Sequence, residues 1–305
     1  MAALLKTSGS SWRDLFRALV HQTMSDDLVD RAGALSFWFL LGFFPMLFAV
    51  IGMLSRAGFG SMWQASLMRY VGHALPSSAS TLVKQVLTQT AGNRTAWYWL
   101  AFALWSVSSA TSGLIDSLNV MYGLEESRAW WRAKLLSLVL AIGVVLLVAA
   151  ALVAGVFSTV GLQKLASGPA IFGTIHIAEW IAAIFVLLFA LLCLYRFAPD
   201  VRDQRWKWLL PGSVIAAIVW IVASMLFKLY VDRFGNYGRL YGTLGTLVIL
   251  MFWFYISGIA ILIGGEINAI VEDEAAKRRL QGAKRRGQRS WREDHTAAPI
   301  IGDSK

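Results

Sequence analysis

Residues 135–157 read LLSLVLAIGVVLLVAAALVAGVF, a run with one serine and no charge. A helix of such residues rises about 1.5 Å per residue, so about 20 of them cross the roughly 30 Å hydrocarbon core of a bilayer. No face of this run is polar enough to meet water, which makes lipid its natural solvent. The whole chain leans the same way. Its 305 residues are 57% hydrophobic and 15% charged, whereas soluble domains average about 45–50% and 25%. The length would suit two soluble domains, but no polar linker separates the apolar blocks, and one membrane domain with short tails is simpler.

Five further stretches reach or approach spanning length: 33–54, 97–119, 175–195, 209–227 and 244–270. The expected fold class is therefore all-α, a polytopic membrane protein of about six transmembrane helices with short extramembrane amphipathic helices. The organisation predicted is a segment 1–32 with an interfacial helix, a membrane domain 33–270 with an external helical loop 55–96, and a basic tail 271–305. Residues 1–11 carry Lys6 and no apolar core, so a cleavable signal peptide is not expected, and the first span directs insertion.

The net charge of +10 is informative through its placement. Of 28 Lys and Arg residues, 20 fall in the two tails and the second and fourth connections, and eight in the remaining, longer connections. By the positive-inside rule both termini are cytoplasmic. In a bacterium the membrane is the inner one, since outer-membrane barrels need alternating strands that this sequence lacks.

Outside the spans, Trp12, Leu15, Phe16, Leu19 and Val20 recur at helical spacing opposite Arg13, Asp14 and Arg17. They predict a helix lying on the cytoplasmic surface or docked on the connections. In 55–96, Phe59, Trp63, Leu67 and Val71 form one stripe, and Leu82, Val83, Val86 and Leu87 another after Pro76. Two short helices over the external end are expected. The tail after Glu274 carries KRR twice and reads as a disordered arm drawn to anionic headgroups. Nucleic acid is not an expected partner, because basic residues beside spans are common for topological reasons. Cys193 stands alone, which excludes an intrachain disulfide and a CxxC site and leaves a packing role.

Polar residues within spans are the candidates for function. Ser109, Ser112, Asp116 and Asn119 share one face of the second span, next to Trp105. Such a stripe lines a wet cavity or joins helices by hydrogen bonds. Glu266 and Asn268 follow Gly258, Gly264 and Gly265, which would admit another backbone closely. Asp30 stands at the entry to the first span, where it also suits a helix N-terminus. Pro45, midway along, should kink that helix and free a carbonyl. These residues form the candidate cavity lining. Residues 230–246, with four glycines and three tyrosines, read as a partly re-entrant segment or a short external turn. Tyr237, Arg239 and Tyr241 would stand at an external mouth. His176 and Glu179 lie one turn apart, but two such residues make no metal site. No catalytic residue, metal or cofactor is expected.

Taken in order, these elements resemble the YihY/BrkB family of membrane proteins, some formerly labelled ribonuclease. The resemblance rests on Asp30 followed by AGALSFWFLLGFFPMLF, Leu75-Pro76, Trp105-Ser106, Leu118-Asn119 with Tyr122, Pro199, Pro211-Gly212, Trp220, Tyr237, Tyr241-Gly242-Thr243-Leu244, Trp253, Tyr255 and GGEINA at 264–269. Trp38 stands where many relatives have tyrosine. Residues 1–25 and 275–305 add nothing to it. The resemblance implies a six-helix inner-membrane protein for which roles in envelope integrity, serum resistance and lipid or solute transport have been suggested.

A transporter or lipid translocase lined by the second-span stripe is the function expected, with lipids and a transported solute or lipid as partners. A scaffold for envelope assembly, with the stripe as helix glue, is the alternative. A membrane-anchored ribonuclease has the least support, since the cytoplasmic segments supply neither a metal cluster nor a histidine-based acid–base pair.

Overall fold

The computed structural model describes residues 12–56, 96–143, 146–147, 150, 169–202, 204–234, 237–277 and 283–288. The expected external helices in 57–95, the end of the third span and the outer parts of both tails lie outside these residues. Seven helices and no strands occur among the described residues. They are α1 (Trp12–Ser25), α2 (Leu28–Arg56), α3 (Ala96–Met121), α4 (130–143, with helical residues to 150), α5 (Pro169–Phe197), α6 (Trp206–Phe234) and α7 (Tyr237–Lys277).

Four of the helices are long and apolar enough to cross a membrane, through 28–46, 180–197, 206–231 and 247–277. The helices α3 and α4, at the second and third expected spans, are not among the four. Polar side chains lower the apolarity of α3, and α4 is described only in part. The outward faces agree with a lipid surround. Leu210, Val214, Ile218, Val222, Leu226 and Leu229 run exposed down α6, as do Ile181, Phe185 and Phe189 on α5. Burying one such side chain is worth about 1.5–3 kcal/mol in water, so stripes of this length belong against acyl chains.

The inner faces follow helical spacing. Leu28, Ala32 and Leu35 of α2 are buried against Leu114, Ile115 and Leu118 of α3, with Leu191 and Tyr195 of α5 and Leu209 and Ala216 of α6 in the same core. The long helix α7 packs against α1, α2, α3 and α6. Its glycines allow this. A methyl on Gly258 would meet the Ala32 backbone at 3.4 Å, and one on Gly265 the Leu118 side chain at 2.6 Å.

Two expectations differ from the structure. Residues 237–246 form the start of α7 rather than a re-entrant segment. Glycine lowers helix propensity, but a helix satisfies its backbone groups without water. The tail after Glu274 is not wholly a loose arm, for α7 continues to Lys277 and residues 283–288 pack onto the bundle. The side chains of Lys284 and Arg286 find buried carboxylates there.

Candidate functional site

Many of the described charged and amide side chains gather at the end of the bundle that carries α1. Two corners build it. Asp27, at φ 50°, turns the chain between α1 and α2; aspartate is among the few residues that tolerate this left-handed conformation. Gly123, at φ 67°, ends α3, where the Leu124 N–H reaches the Asn119 carbonyl at 2.8 Å and the Gly123 N–H that of Val120 at 2.8 Å. That is a glycine-ended helix cap.

Beyond Gly123 the connections interlock. The Asn119 amide donates to Glu126 at 3.0 Å and its oxygen accepts the Asp200 N–H at 2.7 Å. Asp200 receives the Ser127 N–H at 3.2 Å, the Ser127 hydroxyl and Arg128 Nε at 3.2 Å. Arg128 also donates to the carbonyls of Ala198 and Pro199. Gln204 donates to the Tyr122 hydroxyl at 3.1 Å. Burial, aided by the nearby Glu272 charge, holds that phenol well above its ordinary pKa, so it stays protonated.

Residues 283–288 close the same end. Lys284 and Glu272 form a buried pair at 3.3 Å. Arg286 Nη1 meets Glu266 Oε1 at 2.8 Å, while Nη2 meets Asp26 Oδ2 and lies 3.4 Å from the Val120 carbonyl. The Gly287 N–H donates to the Tyr122 carbonyl at 2.9 Å. Beside Arg286 an open groove of about 480 Å³ runs between α1 and the end of α3, lined by His21, Gln22, Asp26, Val120 and Leu124 among others.

The sequence-predicted residues divide among several places. Asn119 and Glu266 are buried in this polar end, and Glu266 is fully enclosed. Asn268 is also buried, on the seam with α6, where its oxygen accepts the Gly212 N–H at 2.7 Å. Ser109 and Ser112 are half-buried on α3, their hydroxyls turned to the carbonyls of Trp105 and Ser108. Asp116 is exposed on the same helix, with Glu126 and Arg31 as the charges acting on it most. Asp30 is exposed in the first turn of α2, and Pro45 is buried within that helix, which continues through it. Tyr237, Arg239 and Tyr241 begin α7, about 40 Å along the axis from Glu266; their side chains lie outside the described residues.

Sequence reasoning missed Asp26, Asp200, Glu272 and the inward roles of Lys284 and Arg286. The only signals were a carboxylate pair before the first span, an aspartate after Pro199, and a KRR triplet that reads equally well as a solvated arm. Among the described residues no three His, Cys, Asp or Glu side chains converge as a metal-binding set.

Helices with apolar outward faces, closed at one end by an interlocked ionic layer, define a multi-pass helical membrane protein. The chain belongs to the BrkB virulence factor family, whose model, described as "Virulence factor BrkB", matches residues 19–288. Over 268 residues it is 34% identical to a ribonuclease-like protein, YfkH, of Bacillus subtilis, covering 85% of this chain and 94% of that protein. It is 25% identical to a UPF0761 membrane protein of Aeromonas salmonicida, over 80% of this chain and 84% of that one. With the UPF0761 membrane protein Smlt0865 of Stenotrophomonas maltophilia it shares 23% identity, spanning 59% of that longer protein. No solved structure matches the chain.

Proposed function

We propose that this protein is a translocase of lipid or solute in a bacterial inner membrane, acting in envelope integrity, with the α1 end and both termini in the cytoplasm. The observation that carries the reading is the exposure of Asp116 on α3, in line with the half-buried Ser112 and Ser109. A carboxylate on the outer face of a membrane helix is costly against acyl chains and favourable beside water or a headgroup. The serine hydroxyls spend their protons on their own helix but keep lone pairs free to accept. Together they make a polar track rising from the α1 end toward Trp105. The distribution of basic residues supports the orientation. Lys284 and Arg286 are turned inward, so the headgroup contacts of the tail fall to exposed residues such as Arg285.

The test is a proteoliposome assay that follows fluorescent phospholipid exposure and pH-gradient dissipation. Wild type should give a signal and Asp116→Asn should lose at least about tenfold of it with insertion unchanged. An equal signal from the variant removes Asp116 from the path. Folded wild type that moves no lipid or ion would favour the scaffold for envelope assembly. The ribonuclease-like name of the Bacillus relative is met by incubating the same purified protein with RNA.

A further inference from the structure

Within the ionic layer one guanidinium serves two carboxylates at a buried place. Asp273 is paired with Lys277 at 2.9 Å and Glu272 with Lys284. Arg286 is shared by Glu266 and Asp26: two carboxylates and one guanidinium. Glu266 is 0% exposed. Its Oε1 accepts from Arg286, while its Oε2 is buried with no partner. The Asp26 carboxyl is held by the neighbouring nitrogen of the same guanidinium. A buried carboxylate oxygen left without a hydrogen-bond partner is expensive, and a proton on the acid would relieve that cost.

We infer that Glu266 and Asp26 form a proton-binding pair that holds one exchangeable proton between them, with Arg286 as their shared counter-ion. The proton comes from water in the adjoining groove, forms an O–H bond on one carboxylate and returns to water on release; nothing is oxidised or reduced. The groove reaches Asp26 and Arg286 directly, while Glu266 sits behind them on α7. Among the described residues, the other groups near the pair make contacts elsewhere. Tyr122 at the end of α3 is neutral, and the Tyr195 hydroxyl of α5 donates to the Ile261 carbonyl at 2.7 Å. Arg31 of α2 donates to the Asp26 backbone carbonyl, not its carboxylate, and its charge acts on Asp116. His21 lines the outer groove. The backbone N–H of Arg286 is taken by Asp273.

This inference deepens the translocase reading, for which the pair would be the site of a coupling proton, but proton binding can be observed without transport. Infrared difference spectra of the full-length protein in lipid nanodiscs, recorded across a pH change, should show a protonated-carboxyl band that shifts in deuterium oxide. The band should vanish in Glu266→Gln, move or vanish in Asp26→Asn, and persist in Asp116→Asn. A band unchanged in Glu266→Gln and in Asp26→Asn, or no carboxyl band in wild type, overturns the inference. If Glu266→Gln does not fold, the Asp26→Asn spectrum decides alone. In proteoliposomes, lipid movement independent of pH and of Glu266→Gln would sink the coupling role while leaving a translocase. A titrating pair in a protein that moves nothing would do the reverse.

Discussion

Gly212 and Gly264 face each other across the seam of α6 and α7 so closely that a methyl group on Gly212 would overlap the Gly264 carbonyl oxygen. From the other side, a methyl on Gly264 would stand 2.8 Å from the Gly212 carbonyl and 2.6 Å from the Ala216 side chain. Two backbones in contact exclude any Cβ at this point, and the seam is pinned by the Gly212 N–H to Asn268 bond.

Gly212→Ala should therefore cost at least about 1–3 kcal/mol, the usual range for forcing extra atoms into a packed core. Thermal unfolding in detergent, followed by size-exclusion chromatography, checks it. Gly33→Ala is the control, since nothing lies within 4 Å of a methyl there; it should be neutral or stabilise by up to about 1 kcal/mol through helix propensity. Equal melting temperatures for the two variants would contradict the seam.

Lys284→Ala leaves Glu272 buried with its charge unanswered. Breaking such a pair on one side costs about 3–5 kcal/mol. The double variant Lys284→Met with Glu272→Leu should recover most of that loss. A double-mutant cycle on melting temperature reads the coupling directly; additive losses would mean that the pair is not formed.

Arg285 and Arg286 are neighbours with opposite fates. Arg285→Ala, at an exposed side chain, should change stability by less than about 0.5 kcal/mol. Arg286→Ala should lower it by several kcal/mol unless the acids take up protons, in which case the loss shrinks as pH falls. Melting curves at two pH values distinguish these behaviours.

Asp200→Asn keeps the shape of the side chain and removes the charge that Arg128 and Ser127 meet. A loss of about 1–3 kcal/mol is expected, as for a charge-assisted hydrogen bond. Limited trypsin digestion should cut after Arg128 faster in the variant than in wild type. Unchanged cleavage would show that the two connections are held by other contacts.

The sequence made the helices legible because hydrophobic length is a local property. The residues of α5, α6 and most of α7 announce themselves within single windows. The same is true of Gly258, Gly264 and Gly265, whose smallness has one structural use in a membrane helix. The ionic layer was legible only in part. Glu266 and Asn119 stand out against apolar neighbours, but their partners do not. Arg286 lies 20 residues from Glu266 and 260 from Asp26 in the chain, and nothing local distinguishes it from the exposed Arg285. Asp116 shows the converse: helical spacing gives its face, while only the packing of α2 and α4 about α3 decides whether that face is enclosed or open.

The docking of residues 283–288 has a consequence for biogenesis. Asp26 enters the membrane region with α2 and Glu266 with α7, yet the guanidinium that answers both is made after either of them. A chain halted before Arg286 lacks the guanidinium that bridges two acids at a helix junction, so the junction gains its ionic clasp only once residues 283–288 have emerged.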